Sequence, residues 1–169
     1  MNFISHRSIG NIAEEWAVRI PDEVTFEQAA FMPLGEIALQ GVRKARIELG
    51  EKVAVLGLGL IGQLALQFAS LSGASPAVGI DRVEKRMNIA LDCGAEQVIN
   101  SGSDDWLEAL GSKPPVVIES TGSADAMVFM QSTPCAGLQA RLRVYMEPLQ
   151  PCSGKLKLKI LLWRSYSLV

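Results

Sequence analysis

Glycines at positions 57, 59 and 62 interrupt the run VAVLGLGLIGQ (53–63), and Asp81 stands 19 residues after the last of them. Residues of these types at this spacing can hold phosphate without a basic side chain. Gly57 permits a tight turn, and Gly59 lacks the Cβ that would keep a pyrophosphate off the backbone. Gly62 lets the following helix lie close on the strand. Free N–H groups of Leu60 and Ile61, at the positive end of that helix, would face the phosphates. An acid about 20 residues further on is where the fingerprint places a ribose. Asp81 would accept from both ribose hydroxyls and repel a 2′-phosphate, which favours NAD over NADP. Arg82, directly after it, tempers that preference because a guanidinium accommodates such a phosphate.

Glycines alone decide little, since strand-to-helix turns often contain them. One alternative is a purely structural turn with Asp81 as a surface acid. Another is an adenosyl-methionine-dependent methyltransferase, which also has a glycine-rich first turn and an acid after the second strand. The agreement of strand, glycines, helix, second strand and acid in one order favours the dinucleotide. The full glycine spacing, and the lack of an acid in the first strand, set the methyltransferase lower.

The elements that must position these residues are legible around them. Val53–Leu56 is a continuous apolar run, and Ile61, Leu64, Ala65, Phe68 and Leu71 form a helical stripe closed by Gly73. PAVGID (76–81) reads as a second strand, and Val83, Met87, Ala90 and Leu91 mark one face of a helix that stops at Gly94. QVIN (97–100) is a third strand, DDWLEAL (104–110) a short helix, and PPVVIEST (114–121) a fourth strand. Upstream, Thr25 and Gln28 have capping-box spacing for a short helix through Phe31. Pro33 is expected to interrupt it before a second helical stripe from Gly35 to Ala45. Strands alternating with helices predict an α/β, doubly wound parallel sheet of Rossmann type, with an incomplete or truncated sheet as the alternative. Its strand C-terminal ends would bring Gly57, Asp81, Asn100 and Ser120 to one edge. Past Gln131 the pattern fades to one strand at Leu142–Met146 and an alternating segment, KLKLKILLW (155–163), suited to a sheet edge.

Composition narrows the classes. The chain has 169 residues, of which 49% are hydrophobic and 20% charged, so one domain with a sizeable core is expected. A net charge of −2 argues against nucleic acid or an anionic membrane as the main partner. No run reaches the roughly 18 apolar residues of a membrane helix, and no signal peptide is readable at the N-terminus. Cys93, Cys135 and Cys152 are widely spaced and odd in number, as in a reducing cytoplasm. With His6 as the one histidine and no Cys-x-x-Cys, neither a zinc site nor a Ser-His-Asp triad is expected.

Across IPDEVTFEQAAFMPLGEIALQGVRKARIELGEKVAVLGLGLIGQLALQFASLSGA, GIDRVEKRMNIALDCGAEQVIN and VVIESTGS the chain resembles the cofactor-binding domain of the medium-chain dehydrogenases/reductases, in the style of the alcohol, sorbitol and threonine dehydrogenases. The resemblance covers roughly residues 10–131. It implies a domain order of 1–24 as a lead-in remnant of a GroES-like catalytic domain, 25–146 as the NAD(P)-binding Rossmann domain, and 147–169 as a divergent tail with a possible edge strand. It implies that Gly57, Gly59 and Gly62 form the pyrophosphate turn and that Asp81 is the ribose acid. Arg86 would lie near the adenosine ribose, and Ser120 and Thr121 would line the cofactor cleft, with a solvated charge or a helix cap as the alternative for these three. In complete relatives NAD exchanges a hydride with an alcohol or carbonyl substrate, and subunits often pair through edge strands. The departures are as informative. A zinc-ligand position of the family falls on Pro33, with only Glu36 nearby, and the four-cysteine loop is absent, so no zinc and no catalytic residue are expected in this chain. A truncated gene, or a reading frame shifted near residue 131, would account for both ends. A non-catalytic dinucleotide-binding or dimerising module is the competing expectation.

Overall fold

The computed structural model describes residues 10–112, 114–124, 126, 143–146 and 160–163. After a single 3-10 turn at Glu14–Trp16, helix α1 spans Phe26–Ala30 and α2 spans Met32–Ala45. Thr25 opens α1 with a full capping box, its hydroxyl accepting from the Gln28 N–H at 3.2 Å while Gln28 Oε1 accepts from the Thr25 N–H at 3.0 Å. The two helices are separate as expected, but Pro33 is not itself the break and the second helix begins before Gly35. Pro33 lies in the first turn of α2, where its missing N–H has no intrahelical partner to lose, and the break narrows to Phe31. Arg43 and Lys44 occupy the last turn, where the helix dipole favours cations.

Strands β1 (Val53–Leu56), β2 (Ala77–Asp81), β3 (Gln97–Asn100) and β4 (Val116–Glu119) alternate with α3 (Leu60–Leu71), α4 (Glu84–Asp92) and α5 (Trp106–Leu110). Two further strands, β5 (Arg143–Met146) and β6 (Ile160–Trp163), complete the sheet. The order is β3-β2-β1-β4-β5-β6, with β6 antiparallel to β5 and every other pair parallel. The sheet is therefore mixed at one edge rather than wholly parallel. Residues 155–159 of the expected edge strand, and 142 of the preceding one, lie outside the described residues.

Residues of β1 alternate between two cores because successive side chains of a strand point to opposite faces. Val53 and Val55 join Val116 and Ile118 under α2, α3 and α4, while Ala54 and Leu56 join Val78, Ile80, Ile99 and Val117 on the side of α5. Burial on both faces explains why these strands read as unbroken apolar runs. Leu66 of α3 is among the most deeply buried side chains, and Leu66→Ala would cost about 2–5 kcal/mol.

From β1 the chain winds outward through β2 to β3, then crosses back to β4 on the other side of β1. The connections leaving β1 and β4 thus diverge, which opens a crevice beyond their C-terminal ends. Gly57 follows β1 there and Ser120 follows β4. Among the described residues no helix is long and apolar enough to cross a membrane.

Candidate functional site

The crevice is an open cleft of about 580 Å³. Its floor is Gly57 and Gly59, one wall carries Asp81, Arg82, Arg86, Ser101 and Trp106, and the other carries Ser120, Thr121 and Ser123. The sheet order therefore brings together residues up to 70 positions apart, Leu56 and Ala126 being the extremes.

The glycines do three different things. Gly57 has φ +85°, a conformation side chains rarely adopt, and a Cβ built there would lie 2.7 Å from Thr121 Cγ2. Gly62 needs no special φ, but a Cβ on it would stand 1.8 Å from the Gly57 carbonyl oxygen and 2.7 Å from Ser120 Oγ. Helix α3 lies that close to the turn only because residue 62 has no side chain. Gly59 has an ordinary φ of −70° and is the N-cap of α3, yet a Cβ there would meet no atom within 4 Å. Neither backbone strain nor packing against the described residues asks for a glycine at 59.

Helix α3 presents its first turn to the same place. The first bond back is from the Gln63 N–H to the Gly59 carbonyl at 2.9 Å, so the N–H groups of Leu60, Ile61 and Gly62 have no intrahelical acceptor. Leu60 and Ile61 do not line the cleft wall, and their side chains have no part in it. What they bring is backbone N–H at the positive end of a helix dipole.

Asp81 ends β2, 7% exposed, with its carboxylate well supplied with donors. Oδ2 accepts from the Leu58 N–H at 2.6 Å, and Oδ1 accepts from the N–H groups of Arg82 at 2.7 Å and Val83 at 2.8 Å. Arg86 Nη1 lies 3.5 Å from Oδ2. Burial pushes this carboxyl upward, but the backbone donors of Leu58, Val83 and Arg82, together with the Arg86 charge, outweigh it and hold Asp81 below its ordinary value. The acid is charged, fixed in place and on the cleft wall.

Ser120 does two things at once. It lines the cleft, and its hydroxyl donates to the Gly57 carbonyl at 2.7 Å, which ties the glycine turn to the end of β4. Thr121 is held by Glu119, whose buried Oε1 accepts from the Thr121 N–H at 2.6 Å and from its hydroxyl. Asn100, expected at the same edge, spends its Oδ1 on the Gly102 N–H at 2.8 Å and does not line the cleft. Ser101 takes that place. Sequence reasoning passed over Leu56, Ile80, Ser101, Trp106, Ser123 and Ala126, all of which line the cleft. Trp106 had one usable signal: it is an aromatic in the first turn after a strand whose C-terminal end faces the crevice.

Residues 61–137 match the family model for zinc-binding dehydrogenases. The chain is 34% identical over 130 residues to D-guloside 3-dehydrogenase of Escherichia coli K12, covering 73% of this chain and 37% of that protein. It is 32% identical over 120 residues to sorbitol dehydrogenase of Mus musculus, covering 67% and 34%. Among solved structures, a zinc-binding dehydrogenase from Sinorhizobium meliloti 1021 bound to NADP superposes with a TM-score of 0.63 at 30% identity, covering 69% of this chain and 36% of that one. The domain belongs to the medium-chain, zinc-binding dehydrogenase family. This dehydrogenase domain spans about a third of the length of the relatives it matches. Among the described residues no three His, Cys, Asp or Glu side chains come together to hold the zinc that the family description names.

Proposed function

We propose that this dehydrogenase domain binds NAD(H) in the cleft beyond β1 and β4, as the cofactor-holding part of an oxidoreductase. Gly59 carries the reading. At the N-cap of α3, on the cleft floor, it has an ordinary φ, and a Cβ there would meet no atom of the described residues within 4 Å, so its absence leaves room for a group from outside the chain. The uncommitted N–H groups beside it suit an anion. Asp81 accepts from the ribose hydroxyls across the cleft and disfavours a 2′-phosphate, which selects NAD(H) over NADP(H). Arg82, Arg86, Ser120 and Thr121 surround the same ligand.

The bound dinucleotide supplies hydride exchange with an alcohol or carbonyl carbon, a polyol-like substrate being the class that the sorbitol and guloside enzymes suggest. The residues of this chain bind and orient that cofactor. The competing reading, a dinucleotide-binding module that pairs with a second copy, draws support from β6 as the outermost strand of the sheet. A cytoplasmic setting accords with both. Calorimetry of NADH against the chain tests the proposal: saturable binding with one site per chain is expected, and no heat at millimolar NADH overturns it. Sedimentation at micromolar concentration tests the pairing, and a pure monomer excludes it.

A further inference from the structure

The peptide of Leu58, between the two glycines of the cleft floor, is gripped from both sides. Its N–H donates to Oδ2 of Asp81 at 2.6 Å in a buried bond. Its carbonyl accepts from Nε2 of Gln63 at 3.4 Å, and the same Nε2 donates to the Arg86 carbonyl at 2.7 Å. The Arg86 guanidinium returns to Asp81 Oδ2 at 3.5 Å. Leu58, Asp81, Arg86 and Gln63 thus close a ring that joins the glycine turn, the end of β2, α4 and α3. The Leu58 side chain anchors the same peptide from below: it is 1% exposed, and a Cβ on Gly79 of β2 would stand 3.0 Å from its Cδ1.

Gln63 takes no part in the cleft wall. Its Oε1 is buried without a hydrogen-bond partner among the described residues, while Nε2 is shared between two carbonyls. A buried amide left with an unsatisfied oxygen has a local reason for its orientation, and here that reason is donation to Leu58 and Arg86.

We propose that Asp81 and Gln63 are positioning residues that clamp the Leu58 peptide and so set the phosphate-binding turn before a ligand arrives. A turn already ordered charges no conformational entropy at binding, and the loss of one such residue's order is worth on the order of tenfold in affinity. The ribose acid and the phosphate turn are then coupled. A substitution at Asp81 made to admit a 2′-phosphate also loosens the turn that every dinucleotide needs.

The binding arm rests on the proposed dinucleotide reading; the amide arm does not. Hydrogen exchange followed by NMR on the free chain should show the Leu58 amide exchanging at least about tenfold faster in Asp81→Ala, relative to the amides of β1 and β2 in the same variant. Uniform acceleration of all of them would mean general destabilisation and would overturn the clamp. In calorimetry Gln63→Leu should weaken NADH and NADPH by the same factor, roughly threefold to tenfold, because Gln63 faces neither ribose. Unchanged affinity for both in Gln63→Leu also overturns it. If the unaltered chain binds neither cofactor, the proposed function falls while the amide comparison still decides the clamp.

Discussion

Gly59→Ala and Gly62→Ala place the same methyl group three residues apart and should have opposite consequences. At position 62 the new Cβ would stand 1.8 Å from the Gly57 carbonyl oxygen, whereas ordinary contact begins near 3.4 Å. Helix α3 must then retreat by roughly 1.6 Å from the turn, and overpacking of this kind costs about 1–3 kcal/mol or more. For a chain of this size each kcal/mol moves Tm by about 2–4 °C, so a fall of roughly 2–12 °C is expected. At position 59 the φ of −70° suits alanine and the Cβ touches nothing. Restricting the unfolded chain stabilises by about 0.4–1 kcal/mol, while alanine is the poorer N-cap by a comparable amount. The two offset, and Tm should hold within about 3 °C. Binding reverses the ranking, because a methyl on the cleft floor lifts the pyrophosphate from the N–H groups of α3. Loss of one charge-assisted hydrogen bond, about 1.5–3 kcal/mol, weakens NADH roughly 10–150-fold. Thermal melts and calorimetry on both variants decide the matter. Unchanged NADH affinity in Gly59→Ala, or an unshifted Tm in Gly62→Ala, would refute the assignment of these glycines.

Asp81→Ala should weaken NADH more than NADPH, so that the ratio of their Kd values moves by about tenfold; the loosened turn affects both and cancels in the ratio, and equal losses would remove Asp81 as the ribose acid. The same carboxyl is held below its ordinary value, so its contribution to stability is complete above the unfolded-state pKa of about 3.9 and fades as pH falls through the lower folded value. Melts across that acid range should therefore be flatter for Asp81→Asn than for the parent, and parallel curves would contradict this. Trp106 lines the cleft beside Asp81, so NADH should quench its emission, and Trp106→Leu should weaken NADH roughly threefold to tenfold; quenching that persists in that variant would point to Trp16 or Trp163 instead.

Much of this domain is written locally. The apolar runs of β1, β2 and β4 are legible because both faces of each strand are buried, and α3 is legible because its stripe faces one core. The capping box at Thr25 is readable from two residues. The interruption between α1 and α2 is legible, but the place of Pro33 is not, because proline breaks a helix in the interior and opens one at the first turn, and the sequence pattern does not say which turn it occupies. The antiparallel β6 was equally hidden, since strand direction follows from the path of the connection and not from residue pattern.

The sequence by itself determined that a glycine turn joins a buried strand to a helix, with a carboxylate at the end of the next strand. Periodicity, φ preference and burial act over a few residues, and those are the features they encode. The tertiary structure alone decided what surrounds each glycine: Gly62 is set against the Gly57 carbonyl, and Gly59 against none of the described residues. It also turned Asp81 toward the Leu58 N–H, hung the Ser120 hydroxyl on the Gly57 carbonyl and placed Trp106 in the cleft. Each of these joins residues that meet only because β2, β1 and β4 lie side by side with their C-terminal ends together. The crossovers of the sheet fix that adjacency, and no local pattern carries it.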